Sequence, residues 1–340
     1  MRLFRLIYLL LGIGLLAAVI AASDLTAVGD WLFQLGLVGV VTVFVIFCCA
    51  FLCDSGAWWL MLSGDKLEAV WLYRLWRVRM VGEAFNAIIP AASLGGEPIK
   101  VLLLKRLYGT DYRTVAASLV MAKTIILFAL IGFSAIGLTM MMQSDALAEA
   151  YGALAGGGLA ALACGGLGFF AIQRWGMASR LAAWLARRRM GRRLERALIH
   201  LQTIDDSFMA FYHQRPGRFA AALGLALVSW LLGAVELYLV LGFFGHGISV
   251  AEALIIDSLL QLIRAGAFFI PSGLGVSEMG FVVLVGALTG QPPLGLAAAL
   301  VRRSRELLWI AWGVLLGWRL SFTPAMASAE LAKGDAAPGD

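Results

Sequence analysis

Long apolar runs, parted by short polar stretches, set the pattern of this chain from its first residues. Leu6–Ala22, Gln34–Ser63, Tyr112–Met142, Gly152–Ile172, Phe219–Phe244 and Leu294–Leu320 each come close to or exceed the ~20 apolar residues that carry a helix across a bilayer. They predict six transmembrane helices. Two further apolar stretches are interrupted at their centres. Val81–Leu104 holds Asn86, Pro90 and Gly95-Gly96, and Glu252–Gln291 holds Pro271-Ser272-Gly273-Leu274-Gly275. Proline removes a backbone donor and glycine admits unusual backbone angles, so each stretch predicts helix, break and helix.

The flanking charges assign sides. Arg2 and Arg5 precede the first run and place the N-terminus in the cytoplasm, whereas Asp24 and Asp30 follow it with no cation nearby. In Asp65–Arg79, Trp71, Tyr73 and Trp76 alternate with Arg74, Arg77 and Arg79, which predicts an interfacial helix on the cytoplasmic face. Lys105, Arg106 and Arg113 then flank the far end of the first broken stretch. Both of its ends are therefore cytoplasmic, and a segment with two ends on one side must turn back inside the membrane. Asp145 and Glu149 mark an outer loop, Ser144–Tyr151. Arg174–Arg218 carries ten Arg against Glu195, Asp205 and Asp206, a cytoplasmic loop, and Gly245-His246-Gly247 is an outer turn. No cation flanks the second broken stretch, while Arg319 and Lys333 place the C-terminus in the cytoplasm. That stretch must start and finish outside.

The expected architecture is an all-α polytopic membrane protein with six transmembrane helices. Two oppositely oriented re-entrant helical hairpins, about 81–104 and 252–291, give it an inverted-repeat-like plan. Residues 1–322 form one domain, and the Ala-, Gly-, Pro- and Asp-containing tail 323–340 is expected to be disordered. The expected location is the inner (cytoplasmic) membrane, with both termini cytoplasmic.

Composition agrees. Of 340 residues 61% are hydrophobic and 14% charged, and soluble domains carry roughly a quarter charged residues. The net charge of +6 is explained by cytoplasmic loops facing anionic lipid, and no aromatic-basic surface or zinc spacing points to nucleic acid. Cys48, Cys49, Cys53 and Cys164 all lie in apolar stretches and read as small hydrophobes, neither a disulfide framework nor a metal site.

Ionisable groups inside the apolar segments are the candidate chemistry, because each costs about 2.5–3.5 kcal/mol to insert and normally faces a cavity or a partner. The first hairpin holds Glu83, Asn86, Glu97 and Lys100, with Gly95-Gly96 directly before Glu97-Pro98. Proline suits a first helical turn, so a half-helix starts there and presents N–H groups that suit phosphate or carboxylate. A self-paired Glu97–Lys100 is the bland alternative. In the second hairpin Asp257, Gln261 and Arg264 share a helical face, and Gly273 and Gly275 precede Glu278. Arg302, Arg303, Arg305 and Glu306 lie in the last span; they suit phosphate, or else pair with Glu278 or Asp257. Lys123, Glu236 and, more weakly, Asp54 are further candidates for the same cavity. The candidate substrate-binding set is Glu83, Asn86, Pro90, Gly95, Gly96, Glu97, Lys100, Asp257, Arg264, Pro271, Gly273, Gly275, Glu278, Arg302, Arg305 and Glu306. No catalytic residue, metal ligand or cofactor is expected: His200, His213 and His246 fall at loops, and no nucleophile elbow or nucleotide loop occurs.

Gly82-Glu83-Ala84-Phe85-Asn86-Ala87-Ile88-Ile89-Pro90 with Leu94-Gly95-Gly96-Glu97-Pro98-Ile99-Lys100 resembles the first signature of the flippase-like membrane domain of lysyl-phosphatidylglycerol synthases. Phe268–Glu278 is similar to the second signature, and Arg302-Arg303-Ser304-Arg305-Glu306-Leu307-Leu308 to a third, found in the hopanoid-biosynthesis-associated branch. Ser272 stands where Gly or Pro is common in the family. The resemblance implies lipid translocation, with two re-entrant hairpins around a central cavity. The synthases continue into a soluble aminoacyl-transferring domain, whereas this sequence ends at Asp340, so lipid aminoacylation is not expected.

The leading expectation is therefore translocation of a polar-headgroup or anionic lipid between leaflets. A non-translocating accessory protein of membrane-lipid or hopanoid biosynthesis is the alternative, and a membrane-embedded transferase using Glu97 and Lys100 is a weaker third. The expected partners are a membrane lipid and the bilayer, with lipid-biosynthesis enzymes or a second copy of the chain compatible with the sequence.

Overall fold

A computed structural model describes residues 25–62, 68–88, 95–143, 145–174, 215–267, 270 and 273–320. The expected first span, Pro90, Pro271 and Ser272, most of the basic loop 174–218 and the tail from 321 lie outside the described residues.

Every element among the described residues is a helix. In chain order they are α1 (Leu25–Met61, kinked at Gly36, φ 58°), α2 (Ala69–Ile88), α3 (Glu97–Tyr108), α4 (Tyr112–Met141), α5 (Asp145–Arg174), α6 (Pro216–Phe243), α7 (Val250–Gly266), α8 (Val276–Thr289) and α9 (Pro292–Arg319). Four of them, over Val28–Met61, Tyr112–Met141, Tyr151–Ala171 and Pro216–Phe243, are long and apolar enough to cross a membrane. Helix α9 is equally long but carries Arg302, Arg303, Arg305 and Glu306. At 1.5 Å per residue it extends ~42 Å, more than a bilayer's hydrocarbon core.

One expected boundary is absent. The described part of the expected interfacial helix, 69–79, and the first arm of the first hairpin are one continuous helix, α2. Nothing in Met80-Val81-Gly82 breaks it: a lone glycine costs a helix only ~1 kcal/mol, and Val78, Met80 and Val81 are fully buried.

The local stops and starts follow the sequence. Helix α3 begins at Glu97-Pro98, and α3 and α8 both end on a left-handed glycine, Gly109 (φ 66°) and Gly290 (φ 72°). Asp111 caps α4 by accepting from Thr114 N–H at 3.1 Å. A reciprocal capping box opens α7: Glu252 N–H donates to Ser249 Oγ at 3.1 Å, and Ser249 N–H to Glu252 Oε2 at 2.6 Å.

Two chain halves share one plan: a long helix, a helical hairpin, then another long helix. These are α1, α2–α3, α4 and α6, α7–α8, α9. Helices α1 and α6 pack along each other in opposite directions. The Trp31 ring, near the start of α1, meets His246, just past the end of α6, with centroids 5.9 Å apart. Further along, Ser229 Oγ donates to Ala50 O at 3.2 Å. Each hairpin follows the C-terminal end of its long helix, so the two hairpins rise from opposite ends of this pair. Their first arms cross over: α2 packs on α9 of the other half, and α7 on α4. Both crossings depend on a glycine. A β-carbon on Gly137 of α4 would run into Ser258 Oγ of α7, and one on Gly313 of α9 would stand 2.6 Å from Met80 O of α2.

The surface is inverted relative to a soluble protein. Phe33, Leu37, Val38, Leu154, Leu167, Leu308 and Trp318 lie exposed on the outside, whereas Lys100, Glu236, Asp257, Glu278, Arg302 and Arg305 are buried. Water would favour the reverse, and a lipid environment favours what is seen.

Gly137→Ala and Gly313→Ala should each destabilise the protein by about 1–3 kcal/mol, the cost of overpacking. Gly132→Ala in α4, with nothing near its added methyl, should be neutral or slightly stabilising. Thermal unfolding in detergent compares the three, and equal midpoints would remove the close-approach argument.

Candidate functional site

Each hairpin carries a buried charge network near its break. In the first, Lys100 of α3 is the hub, only 2% exposed. Its Nζ lies 2.8 Å from Glu83 Oε1 and 2.9 Å from Glu97 Oε1. The Lys100 stem runs over Gly82, where any β-carbon would meet its methylenes. Lys123 of α4 reaches Glu97 at 3.0 Å, and Arg79 joins Asp54 of α1 at 2.8 Å while standing 3.7 Å from Glu83. Asn86 fastens the break itself: its Nδ2 donates to Glu83 Oε2 at 3.1 Å, and its Oδ1 accepts from Gly96 N–H at 2.6 Å.

The second network joins α6, α7, α8 and α9. Arg302 donates to Asp257 at 2.7 Å and to Gly233 O at 3.0 Å, and its Nε lies 3.6 Å from Glu236. Arg305 also pairs with Glu236. Two N–H groups of Arg303 converge on Glu278 Oε1, at 2.9 and 2.7 Å. The other oxygen of Glu278 accepts from Gly275 N–H at 2.7 Å, so one carboxylate ties the break to α9. Glu306 completes the set, 2.9 Å from Arg303 and 3.7 Å from Arg264. Gly233 makes room here, since a β-carbon on it would stand 2.9 Å from Asp257 Oδ2.

An aromatic cluster lies between the networks. Arg79 stacks 4.5 Å from the Phe51 ring centre, and Arg305 3.9 Å from that of Phe47. Trp309 touches both rings, at centroid separations of 4.8 and 4.9 Å, and Phe44, Trp76 and Trp312 extend the cluster.

The two networks are separately balanced. Arg79, Lys100 and Lys123 face Asp54, Glu83 and Glu97, and Arg264, Arg302, Arg303 and Arg305 face Glu236, Asp257, Glu278 and Glu306. Pairing is what makes such burial tolerable, because an isolated buried charge is far more costly than a pair.

Of the residues singled out from sequence, the structure brings Glu83, Asn86, Gly96, Glu97 and Lys100 into one network, and Asp257, Arg264, Gly275, Glu278, Arg302, Arg305 and Glu306 into the other. Gly95 sits in the turn before α3, and Gly273 (φ 59°) in the second break. Lys123, Glu236 and Asp54 all take part. The ion-pair readings hold for Glu97–Lys100, Arg302–Asp257 and Arg303–Glu278. Gly96 N–H and Gly275 N–H, two of the donors expected to await an anion, already have protein acceptors. Arg79, Gly82, Gly233, Phe47, Phe51 and Trp309 were not among the candidate site residues. Arg79 sits one helical turn before Glu83, a spacing that signals a pair once α2 is continuous. The aromatic and glycine partners come from other helices and leave no local signature.

The fold and site define a multi-pass α-helical membrane protein with paired charges buried between its helices. The chain belongs to the lysylphosphatidylglycerol synthase TM region family, whose model matches residues 6–313. No curated protein and no solved structure matches it. Family membership supports a function connected with membrane lipid.

Lys100→Met should cost about 3–5 kcal/mol, because Glu83 and Glu97 lose their shared counter-charge. Adding Glu97→Gln should restore part of the loss. Unfolding midpoints of the two variants test this, and a double variant less stable than the single one would contradict it.

Proposed function

We propose that this protein moves a polar-headgroup lipid between the leaflets of the cytoplasmic membrane, with the two hairpins acting as opposed re-entrant elements around a central path. One observation supports the reading above the rest: both breaks meet paired, mostly buried charges a little over a third of the way along long helices. Lys123 lies ~16 Å into α4, and Arg303 ~16 Å into α9, at 1.5 Å per residue. Both helices are longer than a ~30 Å hydrocarbon core, so in a spanning orientation both residues fall within it. Irregular backbone and ionic groups at that depth are tolerated where they are enclosed by protein or line a polar path.

The crossed packing of the halves supports an alternating mechanism. Each hairpin rests on the closing helix of the other half, so rocking one half re-forms contacts on both faces. On this reading the ion pairs are the latches. Separating Arg303 from Glu278 would release the second break from α9, and separating Lys123 from Glu97 would release the start of α3 from α4. A headgroup can lower the cost of opening by supplying substitute hydrogen bonds. This is transport, not catalysis, and we place no acid–base or nucleophilic role on Glu97 or Lys100. In this reading six spans cross the membrane, with both termini and the basic loop cytoplasmic, and residues 1–322 act as one unit.

Two measurements test it. In proteoliposomes with an acyl-chain-labelled lipid, the full chain should carry label between leaflets, and Glu278→Gln should slow this at least tenfold, because the latched state between successive openings is no longer re-formed. Lipid binding without movement would favour an accessory role in lipid synthesis. In a variant lacking the native cysteines, single cysteines at Glu68 and Gly109 should react with an impermeant maleimide only from the cytoplasmic side. Those at Ser249 and Gln291 should react only from outside. Labelling of the two ends of either hairpin from opposite sides would refute the re-entrant arrangement.

A further inference from the structure

Two donors on α9 stand apart from the paired charges. Arg305 uses Nη1 on Glu236, but its Nε, in a side chain 9% exposed, has no hydrogen-bond partner. Trp309 is 4% exposed, and its indole Nε1–H likewise has none. The two residues are four apart, so they share one helix face. Phe47 lies against both, 3.9 Å from the Arg305 guanidinium carbon and 4.9 Å from the Trp309 ring centre. Buried donors are almost always satisfied, so a pair left open on one face marks the place of a missing acceptor. A guanidinium N–H and an indole N–H are both pure donors, so what fits there is an oxygen carrying negative charge.

The surroundings indicate where that oxygen comes from. From Trp309 the aromatic rings lead outward through Trp312, 41% exposed, and Trp76 to Tyr73, 59% exposed, with successive centroids 5.5, 5.7 and 6.3 Å apart. These contacting rings form a continuous apolar face from the bundle's outer surface to the donors, and such a face suits a molecule that is polar at one end and apolar along its length. Charge narrows the class further. The network that Arg305 belongs to has as many carboxylates as guanidinium groups. A headgroup with net charge would unbalance it in a low-dielectric setting, whereas one whose phosphate is offset by its own ammonium would not.

We propose that Arg305 Nε and Trp309 Nε1 bind a phosphate oxygen of a zwitterionic phospholipid, such as one with a phosphoethanolamine headgroup. The site holds this class in preference to net-anionic lipids. This rests on the lipid-carrying reading above and specifies its substrate.

The test is lipid retention by the purified full chain in native mass spectrometry, with phosphatidylethanolamine, phosphatidylglycerol and inorganic phosphate as probes. Phosphatidylethanolamine should be held about tenfold more tightly than phosphatidylglycerol, and Trp309→Phe, which keeps the ring but removes the N–H, should weaken it about tenfold. Arg305→Lys keeps the charge facing Glu236 yet lacks Nε, and should give a similar loss. Trp318→Phe, at an exposed position near the end of α9, should change nothing. Equal retention of phosphatidylglycerol, unchanged retention in both site variants, an equal loss in Trp318→Phe, or displacement of lipid by equimolar inorganic phosphate would each overturn the proposal. Retention is read apart from movement. Donor-dependent binding without leaflet exchange would uphold this site and overturn only the transport reading. Exchange insensitive to Trp309→Phe and Arg305→Lys would do the reverse.

Discussion

An ionised side chain cannot be left alone in a medium of low dielectric, and the rest of this structure is arranged around that constraint. Lys100, Asp257 and Glu278 are almost wholly buried, and each finds its counter-charge on a different helix or across a hairpin break. The pairs therefore do more than neutralise. They specify which helix must lie beside which, because a slip of one turn would bury an unpaired charge at a cost of several kcal/mol. Apolar side chains facing lipid supply no comparable specificity, since lipid tails are as apolar as leucine.

The same constraint accounts for the glycines at the crossings. Gly82 lets the Lys100 stem lie flat on α2, and Gly233 lets Asp257 approach α6. At these positions a small residue is the condition for a charged one to be buried with its partner. Gly137 and Gly313 do the same for whole helices, bringing α4 onto α7 and α9 onto α2. Each half of the chain is thereby closed by a helix of the other.

Between the networks, aromatic rings do what further ion pairs could not. Phe47 and Phe51 lie one turn apart on α1 and offer their faces to Arg305 and Arg79. A ring stabilises a guanidinium while leaving its edge N–H groups free for other acceptors. That is the physical difference between the two kinds of site in this protein. Carboxylates hold the hairpins in place, while the ring-backed donor on Arg305 keeps bonding capacity in reserve.

Much of this was legible in the chain itself. The apolar runs, the flanking cations and the Gly/Pro breaks determined a multi-pass helical protein with two interrupted segments, because membrane insertion is governed by local composition. Most of the candidate residues were also marked by sequence, since Glu83, Glu97, Asp257 or Arg302 is conspicuous inside an apolar run. Their partners were not. Whether Arg303 would hold Glu278 or a ligand, whether Lys123 would reach Glu97, and that Trp309 would stand with Arg305 beside Phe47 were decided by how α1, α4 and α9 cross the hairpins. Tertiary packing also decided that α2 runs unbroken past Gly82, where the charge pattern predicted a boundary. Hydropathy acts residue by residue and can be read along a line, whereas a charge pair depends on distance between segments far apart in the chain, which only the folded arrangement sets.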